Sequence, residues 1–157
     1  MIINRKQATQ NIKKIQDRNQ KIVFTNGCFD IIHRGHVDYL REAHQLGDYL
    51  VVGLNSDASV IRLKGQPRPY QSEIDRAEIL DELQSVDMVV IFNEDTPLEL
   101  ICELKPNIIV KGGDYTVETI VGAKEVLGWG GEVKIIPFKE GYGTSKLIEK
   151  IIANSDI

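Results

Sequence analysis

The chain has 157 residues, the size of one domain under the usual span of roughly 100–200 residues per domain. Hydrophobic residues make up 42% and charged residues 27%, and a net charge of −4 argues against the basic face of a dedicated nucleic-acid binder. No run approaches the roughly 20 apolar residues of a membrane span. The two Cys exclude a disulfide scaffold, and polar Asn4, Arg5, Lys6 and Gln7 stand where a signal peptide would be apolar. The expectation is a cytoplasmic domain with neither a nucleic-acid nor a membrane partner.

In chain order, residues 5–19 read as an N-terminal helical arm, with Ala8, Ile12 and Ile15 at helical spacing. A strand follows at 21–25 (KIVFT), then a helix at 35–46. A second strand at 49–54 (YLVVGL) leads to helices at 56–64 and 72–84. A third strand at 87–92 (DMVVIF) precedes a helix at 97–105, and a fourth at 107–110 (NIIV) precedes one at 119–127. The fifth strand, 132–137 (EVKIIP), leads to a last helix from Thr144 to about Ala153. Each strand is a near-continuous apolar run, the pattern of parallel strands covered on both faces. The alternation predicts a single α/β domain, a Rossmann-like, doubly wound, five-stranded parallel sheet, with an arm at 1–20 and a catalytic core at 21–152. In such sheets ligands gather where the strands end in their carboxyl groups.

Those ends carry the chemistry. After the first strand come Asn26-Gly27-Cys28-Phe29-Asp30 and then His33-Arg34-Gly35-His36 at a helix start. Backbone N–H groups and the helix dipole favour an anion there, and two imidazoles three residues apart can face it together. A zinc site is disfavoured, because no third His or Cys lies nearby. Asn55-Ser56-Asp57 follow the second strand; Ser56 or Asn55 suits a helix cap, while Asn55 and Asp57 sit at the ligand edge. Arg62, Lys64 and Arg68 form a basic cluster around a Gly- and Pro-rich loop suited to closing over phosphates. Lys111-Gly112-Gly113-Asp114-Tyr115 follow the fourth strand, with paired glycines that let a backbone approach a ligand. Gly141-Tyr142-Gly143-Thr144-Ser145 open the last helix as a second phosphate-type start. Neither a dinucleotide-binding G-x-G-x-x-G nor a P-loop occurs. Cys28 lies inside the first motif and Cys102 on an apolar helix face, as a core residue.

The stretch from Thr25 to His36 resembles the signature of the H-x-G-H nucleotidylyltransferases. Together with Glu94-Asp95-Thr96-Pro97 and Lys111-Gly112-Gly113-Asp114-Tyr115, it is most similar to the adenylyltransferases of ADP-heptose synthesis. In many bacteria that activity is one part of a bifunctional kinase–adenylyltransferase; with no kinase half here, a free-standing transferase is expected. The related glycerol-3-phosphate cytidylyltransferases carry Trp and Arg where this chain has Arg34 and Phe138, and the heptose group usually has Ser-Thr-Thr where Gly143-Thr144-Ser145 stand.

The resemblance implies adenylyl transfer from ATP to a heptose 1-phosphate, for lipopolysaccharide core precursors. It implies catalytic roles for His33, His36 and Lys64. It implies a nucleotide site of Thr25, Asn26, Gly27, Phe29, Gly35, His36, Lys111, Gly112, Thr144 and Ser145. For the sugar phosphate it implies Asp30, Asn55, Asp57, Arg68 and Asp114, some of which could instead meet the base or water on a metal. Mg²⁺ would be held mainly by substrate phosphates and water. A homodimer is expected by analogy. The alternatives are GTP or CTP with another sugar or polyol phosphate, and a nucleotide-binding module without turnover.

Overall fold

The computed structural model describes residues 1–155. Strands β1 (Ile22–Gly27), β2 (Tyr49–Asn55), β3 (Met88–Phe92), β4 (Ile108–Gly112) and β5 (Glu132–Ile136) form one parallel sheet in the order β3-β2-β1-β4-β5. Helices α1 (Arg5–Gln16), α2 (Arg34–His44), α3 (Asp57–Lys64), α4 (Glu73–Asp81), α5 (Leu98–Leu104), α6 (Ala123–Gly128) and α7 (Thr144–Ala153) connect and flank it, with a 3-10 turn at Val117–Thr119. This is the doubly wound α/β architecture that the alternation predicts.

Successive strand residues point to opposite faces. Ile22, Phe24, Val51, Val90 and Ile109 therefore join one core, with Ala8 and Ile12 of α1, Leu100 and Ile101 of α5 and Val126 of α6. Their neighbours Val23, Leu50, Val52, Leu54 and Val110 join the other, with Leu40 and Ala43 of α2 and Ala77 and Leu80 of α4. Both faces are covered, which is why the strands read as unbroken apolar runs.

The N-terminal helix packs onto the sheet. Its cap is reciprocal: the Asn4 side chain accepts from Gln7 N–H, and the Gln7 side chain accepts from Asn4 N–H. Ala8 and Ile12 are buried in the first core. Ahead of the helix, Ile2 pairs with Val89 in a parallel bridge and Ile3 N–H donates to the Val89 carbonyl, so residues 1–3 line the outer edge of β3.

The strands outrun their apolar stretches. Asn26 and Gly27 still pair with Gly53 and Leu54, and Lys111 and Gly112 with Ile135 and Ile136. A parallel ladder continues wherever both backbones have partners, whatever the side chains. Asn26, Gly27, Asn55, Lys111 and Gly112 are thus strand ends, not loop residues. Helix α6 begins later than its pattern suggests, because Gly122 takes a left-handed φ of 84° just before it. Cys102 on α5 is half-buried instead of lying in the core. Strand order reverses between β1 and β4, and the crevice above that reversal positions the site.

Candidate active site

A cavity of about 520 Å³ opens there, within the range of small-molecule sites. Its floor is the end of β1 and the first turn of α2. His33 is the N-cap of α2, and His36 lies one turn inside. Their rings stack with centroids 3.8 Å apart and planes 23° apart. The backbone N–H of His33 donates to His36 Nδ1 at 3.3 Å, which fixes the tautomer: the His36 proton is on Nε2. Burial, then the neighbouring His33, then Lys64 push the His36 pKa down to about 4, and burial lowers that of His33. Both imidazoles are neutral donors near neutral pH. His33 Nδ1 is buried without a hydrogen-bond partner. Gly35 is what lets them sit so close: a Cβ there would meet Tyr142 Cβ at 2.8 Å and His33 Nδ1 at 3.0 Å.

The basic loop between α3 and α4 is tied to the loop after β1. Asp30, with its side chain fully buried, accepts from Arg68 Nε at 2.6 Å, Tyr70 N–H at 2.9 Å and Gln71 N–H at 3.1 Å. The Gln71 side chain accepts in return from Ile31 N–H at 3.1 Å. Burial alone would raise the Asp30 pKa, but these donors outweigh it and the carboxyl lies below its usual range. Phe29 and Ile31, in left-handed conformation with φ of 45° and 58°, are held by this pairing of loops. Arg76, fully buried on α4, braces it from behind with donations to the carbonyls of Gln71 and Cys28 and to Asp57. Arg68 and Lys64 line the cavity. Arg62 leaves the basic cluster: it donates to Asp95 at 2.7 Å and to the Asn93 carbonyl.

On the other side stand Lys111 and Gly112 of β4, the segment 137–139 and the first residues of α7. Burial lowers the Lys111 pKa, and its ammonium lies 5.7 Å from the centre of the Tyr115 ring. Tyr39 of α2 donates to the Val110 carbonyl at 3.2 Å and shares a 2.6 Å hydrogen bond with Thr25. The Thr144 hydroxyl donates to the Asp30 carbonyl at 3.0 Å. Cationic and neutral donors thus surround a cavity whose most buried carboxylate is already paired, an arrangement that receives a polyanion.

Comparison with known proteins agrees. The cytidylyltransferase-like family matches residues 24–152. The chain belongs to that family. Its class is therefore nucleotidyltransferase. Bifunctional protein HldE of Campylobacter jejuni is 59% identical over 137 residues, 87% of this chain and 29% of that one. The protein of the same name from Marinomonas sp. is 52% identical over 149 residues, 95% of this chain and 31% of that one. The chain spans about a third of the length of these relatives. A lipopolysaccharide core biosynthesis protein from Thermoplasma volcanium has 33% identity and a TM-score of 0.62, covering 79% of this chain and 99% of that one. A pantoate-beta-alanine ligase from Francisella tularensis shares the fold, with a TM-score of 0.65 at 16% identity, over 99% of this chain and 80% of that one.

In this cytidylyltransferase-like chain the cavity brings together Asn26, Gly27, Phe29, Asp30, His33, Gly35, His36, Lys64, Arg68, Lys111, Gly112, Thr144 and Ser145. Four expected ligand residues lie outside its lining. Thr25 is fully buried on Tyr39, and Asn55 is buried and donates to Ser59 at 2.9 Å. Asp57 pairs with Arg76 at 2.7 Å, and Asp114 is exposed beyond the Gly pair. Asp30 borders the cavity with both its oxygens engaged by the basic loop. Ser56 is the cap of α3. Sequence reasoning missed Tyr39, which follows His36 by three residues and so shares its helix face. It also missed Lys139, whose ammonium donates to Asp38 at 3.0 Å.

The residues do not fit a protein-held metal. Among the described residues no three His, Cys, Asp or Glu side chains are grouped for one. Asp30 is engaged, and Asp38 faces Arg34, Arg41 and Lys139.

Across the described residues, no helix is long and apolar enough to cross a membrane.

Proposed function

We propose that the chain transfers the adenylyl group of ATP to a heptose 1-phosphate in the cytoplasm, giving ADP-heptose and pyrophosphate. The observation that carries the reading is the stacked His33–His36 pair at the start of α2, facing a cavity edged by Lys64, Arg68 and Lys111. The heptose relation rests on the similarity to the HldE proteins.

A phosphate oxygen of the sugar phosphate attacks the α-phosphorus. The bond from that phosphorus to the bridging oxygen of the β-phosphate breaks, and pyrophosphate leaves with the electron pair. The nucleophile is already ionised, so no side chain has to remove a proton. Catalysis consists of in-line positioning and of offsetting charge on the reacting phosphates. The two imidazoles donate N–H bonds to the triphosphate, and Lys64 and Arg68 supply positive charge from the clipped loop. Mg²⁺ brought with the triphosphate would offset part of its charge and would be held mainly by phosphates and water, not by side chains of this chain.

The test is pyrophosphate release with Mg²⁺ from ATP, GTP and CTP, each against both anomers of D-glycero-D-manno-heptose 1-phosphate. Release with ATP and the β-anomer is expected. Release only with GTP and the α-anomer replaces both substrates. No release with any pair, from a folded protein that binds nucleotide, overturns the transferase reading in favour of a binding module.

A further inference from the structure

Among the described residues Phe138 has the highest exposure of the large apolar side chains, at 70%, yet its ring is seated. A Cβ at position 112 would come within 2.7 Å of one ring carbon, and one at position 113 within 2.8 Å of another. The bare backbone of Gly112 leaves room for the ring, and Gly113, whose φ of 111° favours glycine in any case, leaves a second open position beneath it. The rest of the ring borders the cavity. A flat apolar surface held open in the wall of a polar site gains by being covered.

Its position in the sheet says by what. Lys64 and Arg68 reach the cavity from the connection after β2, whereas Gly112 and Phe138 stand at the ends of β4 and β5. The ring also lies beside Tyr39, one turn along α2 from His36, so a ligand with its anionic end on the imidazoles covers the Phe138 face if its other end is a flat ring. A short, polyhydroxylated sugar phosphate has no such end; a nucleoside triphosphate has.

We propose that Phe138, seated on Gly112–Gly113, is the platform on which the nucleobase stacks. The inference rests on the nucleotidyl-transfer reading and assigns one residue to base recognition. Ring-on-ring stacking accepts any base and favours the larger purine surface.

The test is binding in the absence of sugar phosphate, by calorimetry, with ATP and with inorganic tripolyphosphate as probes. Phe138→Ala is expected to weaken ATP about 10-fold and to leave tripolyphosphate unchanged, while Phe138→Tyr keeps the parental ATP affinity. Phe138→Trp adds a spectroscopic readout: ATP quenches the new indole and tripolyphosphate does not. The parent is the control, because its single Trp129 precedes β5 at the opposite end of the sheet and donates to the Pro106 carbonyl. Parental ATP affinity in Phe138→Ala, equal losses for both probes, or an unquenched Phe138→Trp overturns the platform. A parent that turns over ATP beside any of these results refutes the platform alone. A parent that binds no nucleotide refutes the transferase reading and the platform with it.

Discussion

His36 shows how much one side chain carries. Its Nδ1 is committed to the His33 backbone, so only Nε2–H is left for a phosphate. His36→Ala is expected to lower turnover by about 10²–10³, the usual effect of losing one charge-stabilising donor, with the fold retained. Wild-type pyrophosphate release from the folded variant is the result that refutes the role. The depressed pKa also has a stability consequence. Folded His36 takes up its proton near pH 4, while the unfolded chain does so near 6.5. The unfolded state therefore binds more protons between those values, and stability falls as pH drops from about 6.5 to about 4. Urea melts at stepped pH should show this slope, and His36→Asn should flatten it. Asp30 acts through Arg68. Asp30→Asn is expected to reduce kcat/KM by roughly 10-fold or more, and in an Arg68→Ala background to add little, a non-additivity that a purely structural loss would not produce. The imidazole pair was legible in the sequence because its members are three residues apart at a helix start. The engagement of Asp30 was not, because its partners lie 38 to 41 residues away and only the folded chain brings the two loops together.

At the scale of elements, the apolar patterning located every strand and all seven α-helices of the described residues, since burial leaves a plain mark on the residues. The ends were less legible. Asn26, Lys111 and Gly112 belong to strands because of hydrogen bonds to a neighbour, which leave no apolar trace. Helix α1 read as an arm because Ala8 and Ile12 show only that one face is buried, not against what. Its burial under the sheet makes it part of the fold. Ile12→Ala is expected to cost about 2–5 kcal/mol in a denaturant melt, the range for truncating a core Ile, and a cost near zero would refute its packing role. Arg76 is a further consequence of element packing. Among the described residues it is the largest fully buried side chain, and its guanidinium joins α4 to the loops after β1 and β2. Arg76→Met leaves two carbonyls without donors and should destabilise by on the order of 3 kcal/mol, with ATP affinity falling as the paired loops loosen. A buried Arg is invisible to composition, because most arginines are solvated.

For the whole molecule, an acidic chain brings Lys64, Arg68 and Lys111 together with two imidazoles in one crevice. Long-range repulsion of a triphosphate by the net charge of −4 is thus opposed locally by Lys64, Arg68 and Lys111. ATP affinity is expected to weaken as salt rises from 0.05 to about 0.5 M, because part of that attraction is screened; calorimetry across that range checks it. The two edges of the sheet also differ. Residues 1–3 cover β3, whereas β5 ends the order without a further strand. Along β5 the exposed positions are Glu132 and Lys134, alternating with the partly buried Val133 and Ile135. Lys134 pairs with Glu132 at 3.0 Å. Charges of this kind on an edge strand keep it from recruiting another chain. Glu132→Val with Lys134→Val would turn β5 into five consecutive β-branched aliphatic residues on an unpaired edge. The enzyme would then keep its active site while losing its colloidal stability, scattering light at concentrations where the parent stays clear.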